Sequence, residues 1–218
     1  MGDRKFLHKK NRDDAIRLLK IVTDILDKYR IDYYLDFGTL IGAVREKSLI
    51  PWDDDIDISL LNKEDFSKIP KVLEEIRKKY RLRTYLYTFK EALERRKRKG
   101  KPLYCNNISF ANMNDYQIAK VRNNKFLIFG RGNSCIDIFF KYEHDGKLWW
   151  MAYGQENNVP LEVFSKDLIE IDFCGIRCKI PKEYDRYLTA KYGDWKTPKE
   201  NWSHEKDDYS VVSTTQNG

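Results

Sequence analysis

Between Trp52 and Leu60 the chain reads WDDDIDISL, and the passage of this acidic run into an apolar alternation limits the folds open to it. Side chains alternate across a strand, so in extended backbone Asp55 and Asp57 share one face while Ile56, Ile58 and Leu60 share the other. Burying the apolar face carries two carboxylates into one small volume. Like charges that close raise each other's pKa unless a cation lies between them. A hard divalent ion such as Mg2+ or Mn2+ takes carboxylate oxygens and keeps positions for water and phosphate. A solvated acidic loop is the plainer reading of an Asp-rich run, but the interleaved isoleucines argue for a buried strand at a catalytic metal.

The stretch just upstream adds a second part. Ile31 to Phe37 is rich in β-branched and aromatic residues and predicts a strand, followed by Gly38 and a short helix through Val44. A strand, a glycine and a Thr opening a helix leave backbone N–H groups facing an anion, with Thr39 as N-cap and candidate phosphate ligand beside Gly38. Arg45 closes that helix, where a cation suits the dipole and can reach a phosphate. Asp36 either faces the site or caps the turn. Joined to Asp-Ile-Asp-Ile, the Gly-Thr turn makes the two-part signature of a nucleotidyltransferase-type fold.

The segment GTLIGAVREKSLIPWDDDIDISL resembles the signature of the LicD family, which includes bacterial phosphocholine transferases and the eukaryotic fukutin and fukutin-related proteins. YQIAKVRN from Tyr116, CIDIFF from Cys135 and KIPKEYDRYLTAKYGDWKTP from Lys179 resemble its later motifs, so the likeness covers most of the chain. Phe140 departs from the family text, where a proline is common. The resemblance implies an α/β, nucleotidyltransferase-like mixed sheet flanked by helices, here with an added C-terminal hairpin and helix. It also implies transfer of a phospho-alcohol from a CDP-linked donor to a sugar hydroxyl, and makes Lys120 and Arg122, on one strand face by parity, candidate phosphate ligands.

Asp137 stands alone inside the apolar run Ile136 to Phe140, and an unpaired buried carboxylate is costly. It is assigned as the third metal ligand with Asp55 and Asp57; an ion pair to Lys or Arg is the alternative. Asp53, by parity on the same face, is a further candidate, for a second metal or for the acceptor's proton.

Elsewhere, Asn11 to Tyr29 has helical apolar spacing with Asn11 as N-cap, and Lys63 to Tyr80 a second helix broken or kinked at Pro70. Arg81 to Phe89, Leu103 to Phe110 and Tyr116 to Phe129 predict strands, with turns at Asn123-Asn124 and at Gly130 to Ser134. Trp52 is read as packing before base stacking. Leu148 to Tyr153 and Leu161 to Phe173 predict short strands or a strand and turn, Gly175 a hairpin to Ile180, and Pro181 the start of a helix that Gly193 stops. Residues 1–202 make one expected domain, and Ser203 to Gly218, polar and without periodicity, an expected disordered tail.

The chain has 218 residues and a formal charge of +7, which favours acidic partners without choosing among nucleotides, anionic glycans, nucleic acid or membrane surfaces. KEALERRKRKGKP from Lys90 is the densest basic run: a solvated helix end, or a landing surface for an anionic acceptor or an anionic membrane. It is also the main support for a nucleic-acid partner, but it lacks interleaved aromatics, so stacking on single strands is not indicated. Four cysteines without metal-ligand spacing read as reduced thiols, and with no signal peptide or membrane-length apolar run the expectation is a cytoplasmic protein.

The expected reaction is metal-dependent attack of a glycan or glycolipid hydroxyl on the β-phosphorus of a CDP-alcohol, with CMP leaving. Two rivals stand beside it: NMP transfer from an NTP, and a non-catalytic basic module that binds nucleic acid or glycan.

Overall fold

A computed structural model describes residues 5–105, 107–124 and 131–212. Its centre is a five-stranded mixed sheet in the order β1-β2-β5-β4-β3, formed by Tyr33–Leu35, Ile56–Leu60, Arg131–Phe140, Tyr116–Asn124 and Arg83–Thr88. Only β2 and β5 run parallel; every other neighbouring pair is antiparallel. The register sets Asp57 beside Asp137, Asp137 beside Lys120, and Lys120 beside Tyr85. Directly paired residues share a face, so one transverse row carries two acids and a base to the same side.

The opposite face is apolar. Ile56, Ile58, Ile136, Ile138, Ala119 and Val121 are wholly buried there. Helix α1 (Lys9–Lys28) lies on β5 and meets α4 (Ile69–Tyr80), their buried faces formed by Leu18, Leu19, Val22 and Leu26 and by Ile69, Val72, Leu73 and Ile76. Each such side chain, taken from water, stabilises the fold by roughly 1.5–3 kcal/mol before entropic costs. Asn11 does not cap α1, which starts earlier with His8 as N-cap; the Asn11 amide donates instead to the Lys5 carbonyl at 3.1 Å. The break expected near Pro70 is real: α3 (Lys63–Phe66) ends before it, and Pro70 stands in the first turn of α4, where its missing N–H costs nothing.

The basic run is helical. Thr88 and Glu91 form a capping box at the start of α5 (Phe89–Arg98), and Arg95 to Arg98 complement the dipole at its end. The described residues of 103–110, a span expected as a strand, form no strand. Asn123 and Asn124 continue β4 instead of turning, Arg131 to Ser134 belong to β5, and Gly130 with the end of the expected strand lies outside the described residues.

A three-stranded sheet follows: β6 (Tyr142–His144), β7 (Lys147–Ala152) and β8 (Gln155–Pro160). Strand β8 has no sequence signal, since QENNVP lacks apolar alternation. The hairpin of β9 (Leu168–Phe173) and β10 (Ile176–Pro181) turns at Cys174 and Gly175, both with positive φ, and β10 packs against β1. Pro181 ends that hairpin rather than starting a helix; α6 runs Tyr184–Tyr192 and stops at Gly193 (φ 66°). Residues 203–212 do not trail off. They form α7 (His204–Asp207), a bridge from Val211 to Asn157 and a buried Asp208.

The described cysteines are all free, and no helix among the described residues is long and apolar enough to cross a membrane.

Candidate active site

At the polar face of the central sheet opens a cleft of about 700 Å³. Asp53, Asp55, Asp57 and Asp137 line it, with Gly38, Arg45, Lys120 and Arg122. One carboxylate oxygen each from Asp55, Asp57 and Asp137 falls within a span of 4.8 Å, and Asp53, Asp54 and Asp55 form a second such group. The two groups share Asp55. Residue alternation into β2 and the parallel register of β2 on β5 are what bring the first group together.

The electrostatics of this cluster are unfavourable as they stand. Burial first and then the charge on Asp54 lift Asp53 to about 6. Burial followed by Asp137 and Asp53 lifts Asp55 to about 8, while burial, Asp55 and Asp137 drive Asp57 well above the usual carboxylate range. A converging set of oxygen donors that cannot all ionise alone fits a hard divalent cation. The neighbouring Cys135 thiol donates to Asp137 Oδ1 at 2.9 Å and is kept protonated by burial and then by the Asp137 charge, so it adds no soft ligand.

Lys120 forms an ion pair with Asp137. Burial opposes its charge, but Asp137 and Cys135 outweigh that and raise its pKa. Asp137 thus has both environments weighed from the sequence, a basic partner on β4 and two carboxylates on the β2 side. Arg122 lies on the same face of β4 and lines the cleft.

The Gly-Thr turn is built differently from the expectation. Phe37 takes φ 49°, so the chain leaves β1 abruptly, and α2 (Phe37–Ile41) begins one turn earlier than Thr39 requires. Asp36 is the N-cap, its Oδ1 accepting from Phe37 N–H at 2.8 Å, which decides between its two expected roles. Thr39 sits inside the helix, 2% exposed and away from the cleft lining, and its Oγ1 accepts from Asp57 N–H at 2.9 Å. Thr39 therefore holds the backbone of a candidate ligand instead of capping the helix toward a phosphate. A Cβ on Gly38 would lie 2.5 Å from Asp53 Oδ2, so glycine is needed there for the carboxylate to approach the α2 backbone. Arg45 belongs to a π-helical turn, Gly42–Glu46, that continues α2; its Nε donates to Glu46 and its Nη1 to the Trp195 carbonyl, both at 2.7 Å.

Beside this turn stand charged pairs whose lysines, Lys141 and Lys191, had no sequence signal. Lys141 and Asp36, both wholly buried, pair at 2.8 Å, with Ser59 and Tyr187 also donating to Asp36. Lys191 and Asp208 pair at 2.5 Å. Both ammonium groups rest near the Phe37 and Trp150 rings, Lys141 at 3.6 Å from the Trp150 centroid. Burial draws Lys141 down to about 8 against the opposing pull of Asp36. Arg95, Arg96, Lys99 and Lys101 turn into the cleft, so much of the basic run lines the site. Trp52 both packs on the core and lines the cleft.

The human ribitol-5-phosphate transferase FKTN is 24% identical over 195 residues, covering 88% of this chain and 35% of that protein. The Haemophilus influenzae lipopolysaccharide cholinephosphotransferase LicD is 36% identical over 71 residues, covering 32% of this chain and 26% of that protein. The chain therefore spans about a third of the length of the FKTN relatives it matches. A solved structure of ANT(2″)-Ia in complex with adenylyl-2″-tobramycin aligns over 87% of this chain and 82% of its own, with a TM-score of 0.41 and 11% identity. The model of the LicD/FKTN/FKRP nucleotidyltransferase domain matches residues 30–183, from the residues leading into β1 to the loop before α6. The chain belongs to that family.

Proposed function

We propose that this protein transfers a phospho-alcohol, such as phosphocholine or ribitol phosphate, from a CDP-linked donor to a hydroxyl of a glycan or glycolipid, releasing CMP. The observation that carries the reading is the sheet register that sets Asp57 beside Asp137, with Asp55 completing a group of oxygens 4.8 Å across. Asp55, Asp57 and Asp137 would hold Mg2+ or Mn2+, which supplies charge neutralisation for a pyrophosphate and for the charge that develops on transfer.

The chain's own residues supply the rest. Arg122 and Lys120 on β4 and Arg45 from the π-helical turn give positive charge for the donor phosphates. The acceptor oxygen forms a bond to the β-phosphorus as the bond from that phosphorus to its bridging oxygen breaks, and the bridging oxygen leaves on CMP. Asp53, which joins the ligand group through Asp55, takes the hydroxyl proton. The names of the relatives, which transfer ribitol 5-phosphate or cholinephosphate, support this reading over NMP transfer from an NTP. The intact acidic set disfavours a non-catalytic module.

The test is product analysis. Incubation with CDP-choline, CDP-ribitol or CDP-glycerol and a glycan acceptor is expected to release CMP only with Mg2+ or Mn2+. Pyrophosphate from an NTP instead would replace this reading with the nucleotidyltransferase one, and metal-independent turnover would remove the metal.

A further inference from the structure

Beyond residue 183, where the family match ends, the chain adds a wall to the same cleft. The wall is fastened by backbone hydrogen bonds: Tyr209 N–H to the Lys191 carbonyl and Asn158 N–H to the Ser210 carbonyl, both at 2.8 Å, and Val212 N–H to the Glu156 carbonyl at 3.0 Å. His204 is 8% exposed, and its Nε2 lies 3.1 Å from Asn157 Oδ1. The Asn157 Nδ2 donates to the Gln155 carbonyl, which fixes Oδ1 as the acceptor and puts the imidazole proton on Nε2. Nδ1 is then an acceptor, and it is buried with no hydrogen-bond partner among the described residues. Trp195 Nε1, on another cleft-lining residue, is a buried donor in the same condition.

Two rings flank that imidazole. Tyr153, at the β7–β8 turn, lies 4.7 Å from it by centroid and Trp202 lies 6.3 Å away. Both line the cleft, and both keep open surface, 62% for Tyr153 and 36% for Trp202. The wall therefore offers flat apolar faces and, buried at their edge, one unpartnered acceptor and one unpartnered donor, where a buried polar atom without a partner is costly.

The chemistry of a matching ligand follows. An ionised phosphate cannot donate to Nδ1; a hydroxyl can. Flat aromatic faces suit the C–H face of a cyclic sugar better than a flexible linear alcohol. Tyr153 lines the same cleft as Asp53, Asp55, Asp57 and Asp137, so the ring shares the cavity of the ligand group. In the reaction above, the cytosine is separated from the reacting phosphorus by a ribose and a phosphate, whereas the acceptor's own ring bears the attacking hydroxyl.

We propose that Tyr153, His204 and Trp202 form the subsite for the sugar ring of the acceptor, a ring hydroxyl donating to His204 Nδ1. Calling that sugar the acceptor rests on the transferase reading; the ring subsite itself does not. Trp202 and His204, past the family match, thereby join Tyr153, within it, in setting which glycan is modified.

The test uses the full chain without metal. Methyl glycosides of glucose, galactose, mannose, N-acetylglucosamine and N-acetylgalactosamine are titrated by saturation-transfer NMR and tryptophan emission, with cytidine and ribitol as comparators. At least one glycoside is expected to bind, with affinity reduced about tenfold or more in Trp202→Ala and nearly kept in Trp202→Phe. Tyr153→Gly, which suits the φ of 52° at that turn, is a second variant with the same expectation should Trp202→Ala melt early. Binding of cytidine or ribitol alone that depends on Trp202, glycoside binding indifferent to both variants, or no glycoside binding overturns the proposal. Because binding is read without turnover, failure of CMP release would strike the transferase reading and leave this one standing.

Discussion

Two clusters of buried charge lie close together in this protein and are balanced in opposite ways. In one, Asp36 meets Lys141 and Asp208 meets Lys191, with hydroxyls of Ser59, Tyr187 and Ser210 occupying remaining sites. In the other, Asp53, Asp55 and Asp57 carry pKa values pushed up by burial and mutual repulsion, and the ion pair from Lys120 reaches Asp137 alone. The first is balanced within the chain; the second is not, and in the proposed function a bound cation would balance it. Burial of charge by itself is thus no mark of function. Failure of the charges to cancel is the mark.

The contrast is broken most severely at the uncompensated cluster. Asp57→Ala is expected to lower turnover by about 10²-fold or more, the scale on which losing transition-state charge stabilisation acts. Its metal-free melting temperature should stay level or rise, since a repelled buried carboxylate is removed. Steady-state CMP release and a thermal melt without metal measure the two effects, and a normal rate would remove Asp57 from the site.

The balanced cluster should respond in the reverse sense. Lys141→Met leaves the Asp36 carboxylate buried without its cation, an arrangement that destabilises by roughly 3–5 kcal/mol. Chemical denaturation reads this as a lower midpoint with unchanged slope. Adding Asp36→Leu should recover part of the loss, because the double variant buries no unpaired charge.

Acidity separates the clusters without mutation. The folded pKa values of Asp53 and Asp55, about 6 and about 8, stand above the unfolded carboxylate value, so the folded state holds the extra protons. Stability contributed by these groups is then fully present below about pH 4 and is lost as pH rises toward 8. Metal-free protein is expected to lose stability over that window, and saturating Mg2+ to flatten the slope. A denaturation series from pH 4 to 8 with and without Mg2+ measures it.

These clusters were unequally readable from the sequence. The alternation after Asp55 and a lone acid in CIDIFF point to a shared polar face, and parity on β4 sets Lys120 and Arg122 on one side; such signals need only neighbouring residues. Lys141 and Asp36 are far apart in the chain, and a lysine after an apolar strand reads as an exposed end until the β6–β8 sheet and α6 close over it. The C-terminal wall was missed for a similar reason: Asp208 and His204 stand in a polar stretch whose order comes from Lys191 and Asn157, not from local periodicity. Thr39 was misplaced by one helical turn because nothing in LDFGT announces the positive φ at Phe37.

The finest test of the comparison is that misplaced threonine. Its Oγ1 accepts the Asp57 N–H at 2.9 Å, in a position where water has little access. Thr39→Val keeps the shape and removes the acceptor, leaving a backbone donor unsatisfied at a cost of about 1–3 kcal/mol. If the hydroxyl also fixes where Asp57 presents its oxygens, Mg2+ affinity should fall by about 10-fold or more, the range found for groups that hold metal ligands from behind. Thr39→Ser should restore both. Calorimetric Mg2+ titration with a parallel melt tells the outcomes apart: stability lost at constant affinity makes Thr39 a structural support of β2, whereas loss of both makes it part of the ligand set's positioning.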